Sequence, residues 1–493
     1  MKTVKYKMMR NLYPLFPLCR CSVGGMAFLV VSLLLLGSCS GDGSSDSDTP
    51  LSDAPKLLSS TPTDGAKDVP DGDLTVVLVY DQNVTCTSTG QSSISAGEAT
   101  VVSVVANAAK VSIALSDLAK GKDYTLTVPK GMITGTTKLV AEQVSITFST
   151  VAEPEPLPLQ GALCTPDPMP QAKKVYDYLV SIYGTKSLSA SMANVNWNIA
   201  EAELVNKATG KYPAIAFFDY IHLAWSPADW VDYSDIKVVE DWWNANGLVG
   251  ASWHWNVPAT EGETDLNKYT CRPGNGTKNS DGDLTTTFRP RNIFVEGSWE
   301  NKVVKADLDK MSGYLKLLQD KGIPVVWRPL HEAAGNIYEY NGGTAWFWWG
   351  YDGAETYKQL WRYMFDYFKE KGLNNLIWVW TTQTKDADFY PGDDYVDIIG
   401  RDIYNKTSES DNAAQYNLIR GSYPQKIIAL SECGSVAKFS GQWNESARWA
   451  FFMPWYQYNA TTLAGHQHAD EVWWQDAMKQ EFVISREQLP SMK

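Results

Sequence analysis

Histidine, cysteine and positive charge are all scarce in this 493-residue chain, and each shortage removes a class of function. Only five histidines are present. None belongs to an HExxH or similarly tight ligand pattern, so neither a catalytic metal nor any other cofactor is expected. Of seven cysteines, Cys19, Cys21 and Cys39 lie near the start. Cys86, Cys164, Cys271 and Cys433 show no metal-type spacing, and the pairings open to them cannot be chosen from sequence. Lysine and arginine number 43 against 56 acidic residues, a formal net charge of -13. Such a field opposes nucleic acid and anionic substrates, which leaves a neutral substrate as the better fit. No apolar run is long enough to span a bilayer comfortably. Tryptophan is missing from the first third of the chain, although 20 are present in all.

The chain opens with Lys2, Lys5, Lys7 and Arg10, followed by an apolar run from about Met26 to Leu36, the shape of a secretory signal core. The residues LGSC, Leu36 to Cys39, resemble the lipobox of bacterial lipoproteins. The resemblance implies that residues 1–38 are a removed signal peptide and that Cys39 carries lipid, the alternative being an ordinary signal with an incidental cysteine. Residues 39–54 are rich in Gly, Ser and Asp and read as a flexible tether. An acidic tether after such a cysteine resembles surface-exported lipoproteins of Bacteroidetes. It implies a secreted lipoprotein on the outer membrane at the cell surface, with the periplasmic face as the alternative.

Residues 55–150 hold only Tyr80, Tyr124 and Phe148 as aromatics. Short runs such as Leu74–Tyr80, Lys110–Leu115, Tyr124–Val128 and Val144–Phe148 are separated by Gly, Asp and Asn turns, the pattern of a β-sandwich. The opening STPTDGAKDVP resembles bacterial immunoglobulin-like domains. A spacer role is expected, with glycan binding as the alternative. Residues 151–160, VAEPEPLPLQ, form a proline-rich connector.

Beyond it, from residue 161 to 493, eight short apolar runs begin near Ser187, Tyr212, Gly247, Ile323, Asn375, Val396, Lys426 and Trp449. Amphipathic segments at 170–184, 307–322 and 354–372 lie between them, and the last two end in Lys-Gly as helix stops do. Eight strands alternating with helices predict a (β/α)₈ TIM barrel within an α/β class. A doubly wound sheet is the alternative, but no glycine-rich phosphate loop follows the first run. The segment after the seventh run is short for a full helix.

Strand ends converge on one face of a barrel, and here they are polar and aromatic. The second run ends with Asp219 and His222, the third with His254, and the fourth, within GIPVVWRPLHE, with Arg328, His331 and Glu332. The sixth ends with Arg401, Asp402 and Tyr404, the seventh with Ser431 and Glu432, and the eighth with Trp455. Three of the five histidines beside two glutamates point to a reactive site. Taken alone, Arg328 and Glu332 could equally be a structural ion pair. Glutamates on the fourth and seventh strands suit glycoside hydrolysis, which needs a protonated acid near the leaving oxygen and an ionised partner at the anomeric carbon. Trp346, Phe347, Trp348 and Trp349 are expected to leave at least one ring exposed, and Trp346, Trp348, Trp349 and Trp455 to form an open aromatic mouth. His466, His468 and Asp470 read as surface residues.

Together WRPLHE, GGTAWFWWG, SWHW, YPGDDYVDIIGRDIY and ALSECGSV resemble glycoside hydrolase family 26 over about Pro166 to Pro490. The resemblance implies that Glu332 is the acid/base and Glu432 the nucleophile of a retaining mechanism. It implies that His254 and His331 line the site, that Tyr404 hydrogen-bonds the nucleophile, that Arg328 keeps Glu432 ionised, and that Trp346 and Trp455 stack on sugar rings. His254, His331 and Asp402 are the candidates for contacts to the sugar's 2-hydroxyl. The implied activity is endo attack on β-1,4-mannan, glucomannan or galactomannan by a monomer. The alternatives are a β-1,4-xylanase, a mixed-linkage β-glucanase, or a non-catalytic surface glycan-binding lipoprotein. Two departures bear on the site walls: SASMANVNW in the first strand and Cys433 after the nucleophile.

Overall fold

A computed structural model describes residues 53–87, 91–152, 157–228 and 231–493. The signal segment, Cys39, the tether as far as residue 52, and residues 153–156 of the connector lie outside the described residues. The chain divides between Pro156 and Leu157 into two compact units.

The smaller unit is all β. One antiparallel sheet runs in the order Leu57–Thr61, Gly72–Tyr80, Lys110–Leu118, Thr100–Asn107, and a second in the order Ala66–Val69, Val144–Thr150, Asp123–Val128. Within the first, Val76 pairs with Ile113 and Leu78 with Val111. The period-two pattern turns all four inward, where they meet Leu126, Ile146 and Phe148 of the second sheet. The turn at Pro62–Gly65, within STPTDGAKDVP, is closed by Asp64, whose carboxylate accepts from the Thr147 amide and hydroxyl.

The larger unit is a (β/α)₈ barrel. Its strands are β1 (Ser187–Met192), β2 (Ile215–Asp219), β3 (Leu248–Trp253), β4 (Val325–Pro329), β5 (Leu376–Thr382), β6 (Ile398–Tyr404), β7 (Ile427–Gly434) and β8 (Phe451–Pro454). Each pairs in parallel with the next, and β8 returns to β1 with Leu188 beside Phe451, which closes the ring. The helices are α1 (Pro170–Ile182), α2 (Ala200–Thr209), α3 (Lys237–Asn244), α4 (Trp299–Asp320), α5 (Ala354–Glu370), α6 (Glu409–Ser422), α7 (Phe439–Asn444) and α8 (Glu471–Lys479). Both Lys-Gly stops behave as read: Gly322 and Gly372 follow α4 and α5 with φ of 70° and 73°, a region an L side chain resists. The short segment after β7 is the six-residue α7.

Three features depart from the sequence reading. α4 starts at Trp299, eight residues before the periodic stretch at 307, because the Ser298 hydroxyl accepts from the Asn301 amide and caps an earlier turn. The β5–β6 connection holds two 3₁₀ turns in place of an α-helix. Between β3 and α4 a long excursion crosses the carboxyl ends of the strands and carries a small hairpin, Val257–Pro258 with Tyr269–Thr270.

Candidate active site

Seven residues line a cavity at the carboxyl ends of the strands: His254, Arg272, Glu332, Trp346, Phe347, Glu432 and Trp455. The two glutamates are delivered in different ways.

Glu432 lies within β7. β6 and β7 slip register there, Arg401 facing Leu430 but Asp402 facing Glu432, so β7 carries one extra residue at Ser431. A regular strand sends neighbours to opposite faces. The bulge lets Ser431 and Glu432 both reach inward, the Ser431 hydroxyl donating to Asp402 at 2.8 Å and Glu432 pairing with Arg328 at 3.0 Å. Gly400 makes this possible, since a Cβ there would meet Ser431 Oγ at 2.4 Å. The second oxygen of Glu432 accepts from the Tyr404 hydroxyl at 2.6 Å.

Glu332 lies three residues past the end of β4. The backbone turns sharply, with Leu330 and Glu332 at φ of 48° and 51°, a conformation that non-glycine residues hold only when their surroundings impose it. Those surroundings are visible. Tyr357 donates to the Leu330 carbonyl at 3.0 Å and Trp349 Nε1 to the His331 carbonyl at 2.9 Å. Gly350 presses so close to the Ala333 carbonyl that a Cβ would sit 1.8 Å from its oxygen. The WFWWG run therefore builds the turn that aims the acid.

Burial holds the Glu332 carboxyl well above the usual carboxylate range. The charges of Asp402 and Glu432 add to this, while Arg328 and Arg272 pull against it. Arg328 is fully buried and pairs with both Glu432 and Asp402, donating to Asp402 and to Thr381 Oγ1.

The sequence-named residues divide by position. Glu332, Glu432, His254, Trp346 and Trp455 reach the cavity. Tyr404 and Arg328 contact the nucleophile from behind and beneath. Asp402 is corrected: its carboxylate is fully buried on Arg328 and Ser431, so it orders the charges under the site and makes no wall for a sugar. Burial pushes it up to about 7, with Arg328 pulling back. His331 is also corrected. Its ring is buried against His254, Phe347 and Trp349, behind the cavity wall. Burial, followed by the nearby Arg328 charge, drives its pKa well below the usual value, which keeps the ring neutral.

Among the three strand-end histidines, His222 turns away to Trp225 and does not line the cavity. His254 is held by Asp219, which bonds both its amide and Nδ1 and leaves Nε2 for a ligand. Trp348 and Trp349 are fully buried, so the aromatic mouth reduces to Trp346, Phe347 and Trp455. Trp455 is set by its amide, which donates to the Cys433 carbonyl at 2.9 Å.

Nor is His466 a surface residue. It is buried against Glu201 of α2, with Nε2 to Oε2 at 3.2 Å, while its Nδ1 accepts from the amides of His468 and Ala469. His468 in turn packs edge-on against Tyr404. The β8–α8 loop is thereby tied to the nucleophile's hydrogen-bond donor.

Arg272 and Phe347 were missed. The available signal for Arg272 was an arginine before proline, one of two such pairs with Arg289 in the long β3–α4 segment, which carries no periodicity to place either over the mouth.

Residues 164–486 match Glycosyl hydrolase family 26, and residues 52–150 match Bacterial Ig-like domain. The chain is 29% identical over 345 residues to mannan endo-1,4-beta-mannosidase B of Piromyces sp, covering 68% of this chain and 54% of that protein. It is 32% identical over 314 residues to mannan endo-1,4-beta-mannosidase of Thermothelomyces thermophilus, covering 63% of this chain and 60% of that one. The chain thus spans little more than half the length of these curated relatives. Among solved structures, the GH26 domain of a Prevotella bryantii endo-beta-mannanase/endo-beta-glucanase superposes with a TM-score of 0.60 at 41% identity, covering 67% of this chain and 99% of that one. A beta-mannanase from a symbiotic protist of the termite Reticulitermes speratus, complexed with gluco-manno-oligosaccharide, gives 0.57 at 32% identity, covering 68% and 99%. The family match runs from ahead of α1 to past β8 and takes in every cavity residue, and on that ground the chain belongs to glycosyl hydrolase family 26.

Proposed function

We propose that this protein is a retaining endo-β-1,4-mannanase acting on mannan, glucomannan or galactomannan. One observation carries the reading: two buried glutamates meet in one cavity, Glu432 held by Arg328 and Tyr404 and Glu332 held protonated in an apolar turn. The Glu432 carboxylate attacks the anomeric carbon while Glu332 gives its proton to the departing oxygen. Glycosylated Glu432 no longer bears charge, so Glu332 ionises more readily and takes a proton from the water that releases the sugar. Trp346 and Trp455 offer apolar faces to pyranose C–H groups. The mannosidase names of the relatives and the gluco-manno-oligosaccharide of the protist enzyme's complex support the substrate class. Side-by-side rates on mannan, xylan and lichenan, with proton NMR of the first product, test this. Rapid shortening of mannan with retained configuration is expected. Preference for xylan or lichenan would overturn the substrate, inversion the mechanism, and inertness on all three would favour a glycan-binding role.

Glu332→Ala is expected to slow hydrolysis of mannan by roughly 10²- to 10⁴-fold, but aryl glycosides with activated leaving groups far less, since those need no proton. In wild type, activity falls on the alkaline side as Glu332 loses its proton. The raised value moves that limb to higher pH than an exposed glutamate would give. Equal losses on both substrate types would show that Glu332 is not the acid.

LGSC at residues 36–39, followed by an acidic tether, supports a lipid anchor at Cys39 in an outer-membrane protein. No helix of the described residues is long and apolar enough to cross a membrane. Cys39→Ser is expected to shift the full-length protein from the membrane to the soluble fraction on cell fractionation. Unchanged retention would point to another anchor.

A further inference from the structure

Arg272 stands out among the cavity residues because its position is built and its charge is unspent. Its own amide donates to Thr270 Oγ1 at 3.0 Å, and the preceding carbonyl, of Cys271, accepts from the Trp348 amide at 2.9 Å. Pro273 follows and narrows the backbone further. The guanidinium donates to the Trp346 carbonyl at 3.3 Å and lies over the Phe347 ring, 5.4 Å from its centroid. Both contacts belong to the β4–α5 segment that carries Glu332. Arg328 is spoken for by Asp402 and Glu432, whereas Arg272 is in no ion pair with a carboxylate among the described residues. One of its five N–H groups is used by Trp346, which leaves donors for a ligand.

Resting on the glycosidase reading above, we propose that Arg272 is a substrate-binding and positioning residue on the acid's side of the cleavage point. Its guanidinium donates to hydroxyls of the leaving sugar, and supplies the cation beside which Glu332 turns into a base.

The second role follows from the charges around Glu332: Asp402 on β6, Glu432 on β7, Arg328 on β4, Arg272 on the β3–α4 segment, and the flanking His254 and His331. In the glycosyl-enzyme, Arg328 remains tied to Asp402. A proton must pass from water to Glu332 as the water oxygen bonds to the anomeric carbon and the electron pair of the broken ester bond returns to Glu432. The base must therefore have been ionised in a buried site. Arg401 on β6 also acts on Glu332 but shares its charge with Asp386 and Asp402, whereas Arg272 lines the cavity beside Glu332 and pairs with no carboxylate among the described residues.

Arg272→Met and Arg272→Lys test this on an activated aryl mannoside, where release of the glycosyl-enzyme limits kcat, and on mannan. Arg272→Met is expected to lower kcat on the aryl substrate by roughly 10- to 100-fold, the loss of one charge-assisted interaction, with a burst of aryl alcohol. It should also move the alkaline limb of kcat/KM to higher pH, because removing a cation raises the acid's proton affinity. Arg272→Lys is expected to restore kcat and the pH limb but leave KM on mannan raised, since an ammonium keeps the charge and loses the planar fork. A folded Arg272→Met enzyme with wild-type kcat, KM and pH limb overturns the inference. A wild-type enzyme that cuts neither substrate overturns the glycosidase reading instead, so the two failures are distinguishable.

Discussion

Glu432→Ala is expected to end mannan hydrolysis, with kcat/KM falling on the order of 10⁴-fold or more, the scale seen when an enzyme loses its covalent nucleophile. The barrel should survive. Arg328 keeps Asp402 and Thr381 as partners, so the change removes one buried anion without stranding the cation it faced. Tyr404 loses an acceptor, yet its half-buried hydroxyl can bond to water entering the space left by the carboxylate. Added azide, a small anion able to enter that space, should restore part of the rate on an activated aryl mannoside and yield a glycosyl azide of inverted configuration. Turnover of mannan near the wild-type rate in a pure, folded preparation would remove Glu432 from the mechanism.

Arg328→Met is expected to cost the fold as well as the reaction. The guanidinium has no exposed surface and faces two carboxylates that are themselves buried. Losing it leaves both without a counterion, a change of about 3–5 kcal/mol. The remedy open to the protein is protonation, and this sets the sign of the pH dependence. Asp402 is already pushed up by burial, so the folded state binds its proton more tightly than the unfolded chain does. The stability from this group is complete below the ordinary carboxylate pKa and is lost as pH rises through the folded value. Without Arg328 the folded value rises further, so the loss extends to higher pH. Melting curves should therefore show a larger gap between variant and wild type at pH 8 than at pH 5. An equal gap at both would mean that Arg328 contributes packing and not charge. At permissive temperature the variant should also be nearly inactive, because Glu432 loses the guanidinium that pairs with it at 3.0 Å.

Arg328 and Tyr404 were legible as strand-end residues, and their roles beside the nucleophile came from the resemblance to glycoside hydrolase family 26; parallel barrel strands bring Glu332 and Glu432 to one mouth. The rest of the site depended on distant partners. Whether Asp402 meets sugar or stays beneath it turned on a bulge at Ser431, which no local pattern announces. His466 looked like a loop residue until Glu201, on the far side of the sequence, closed over it.

By itself the sequence determined the two folded segments and their classes, since a period of two, a period of 3.6 and the Pro-rich break between them are local properties of the chain. It determined the chemistry on offer too, because two strand-end glutamates among aromatics suit few reactions. Tertiary structure alone decided which rings face the substrate. Trp346, Trp348 and Trp349 are near neighbours of one kind, yet the first reaches the cavity and the other two vanish into the core. Trp348 donates to the Trp255 carbonyl, just past β3, and Trp349 to that of His331, in the turn just past β4. Such acceptors favour burial of a large polar-tipped ring, and their positions are a property of the closed barrel.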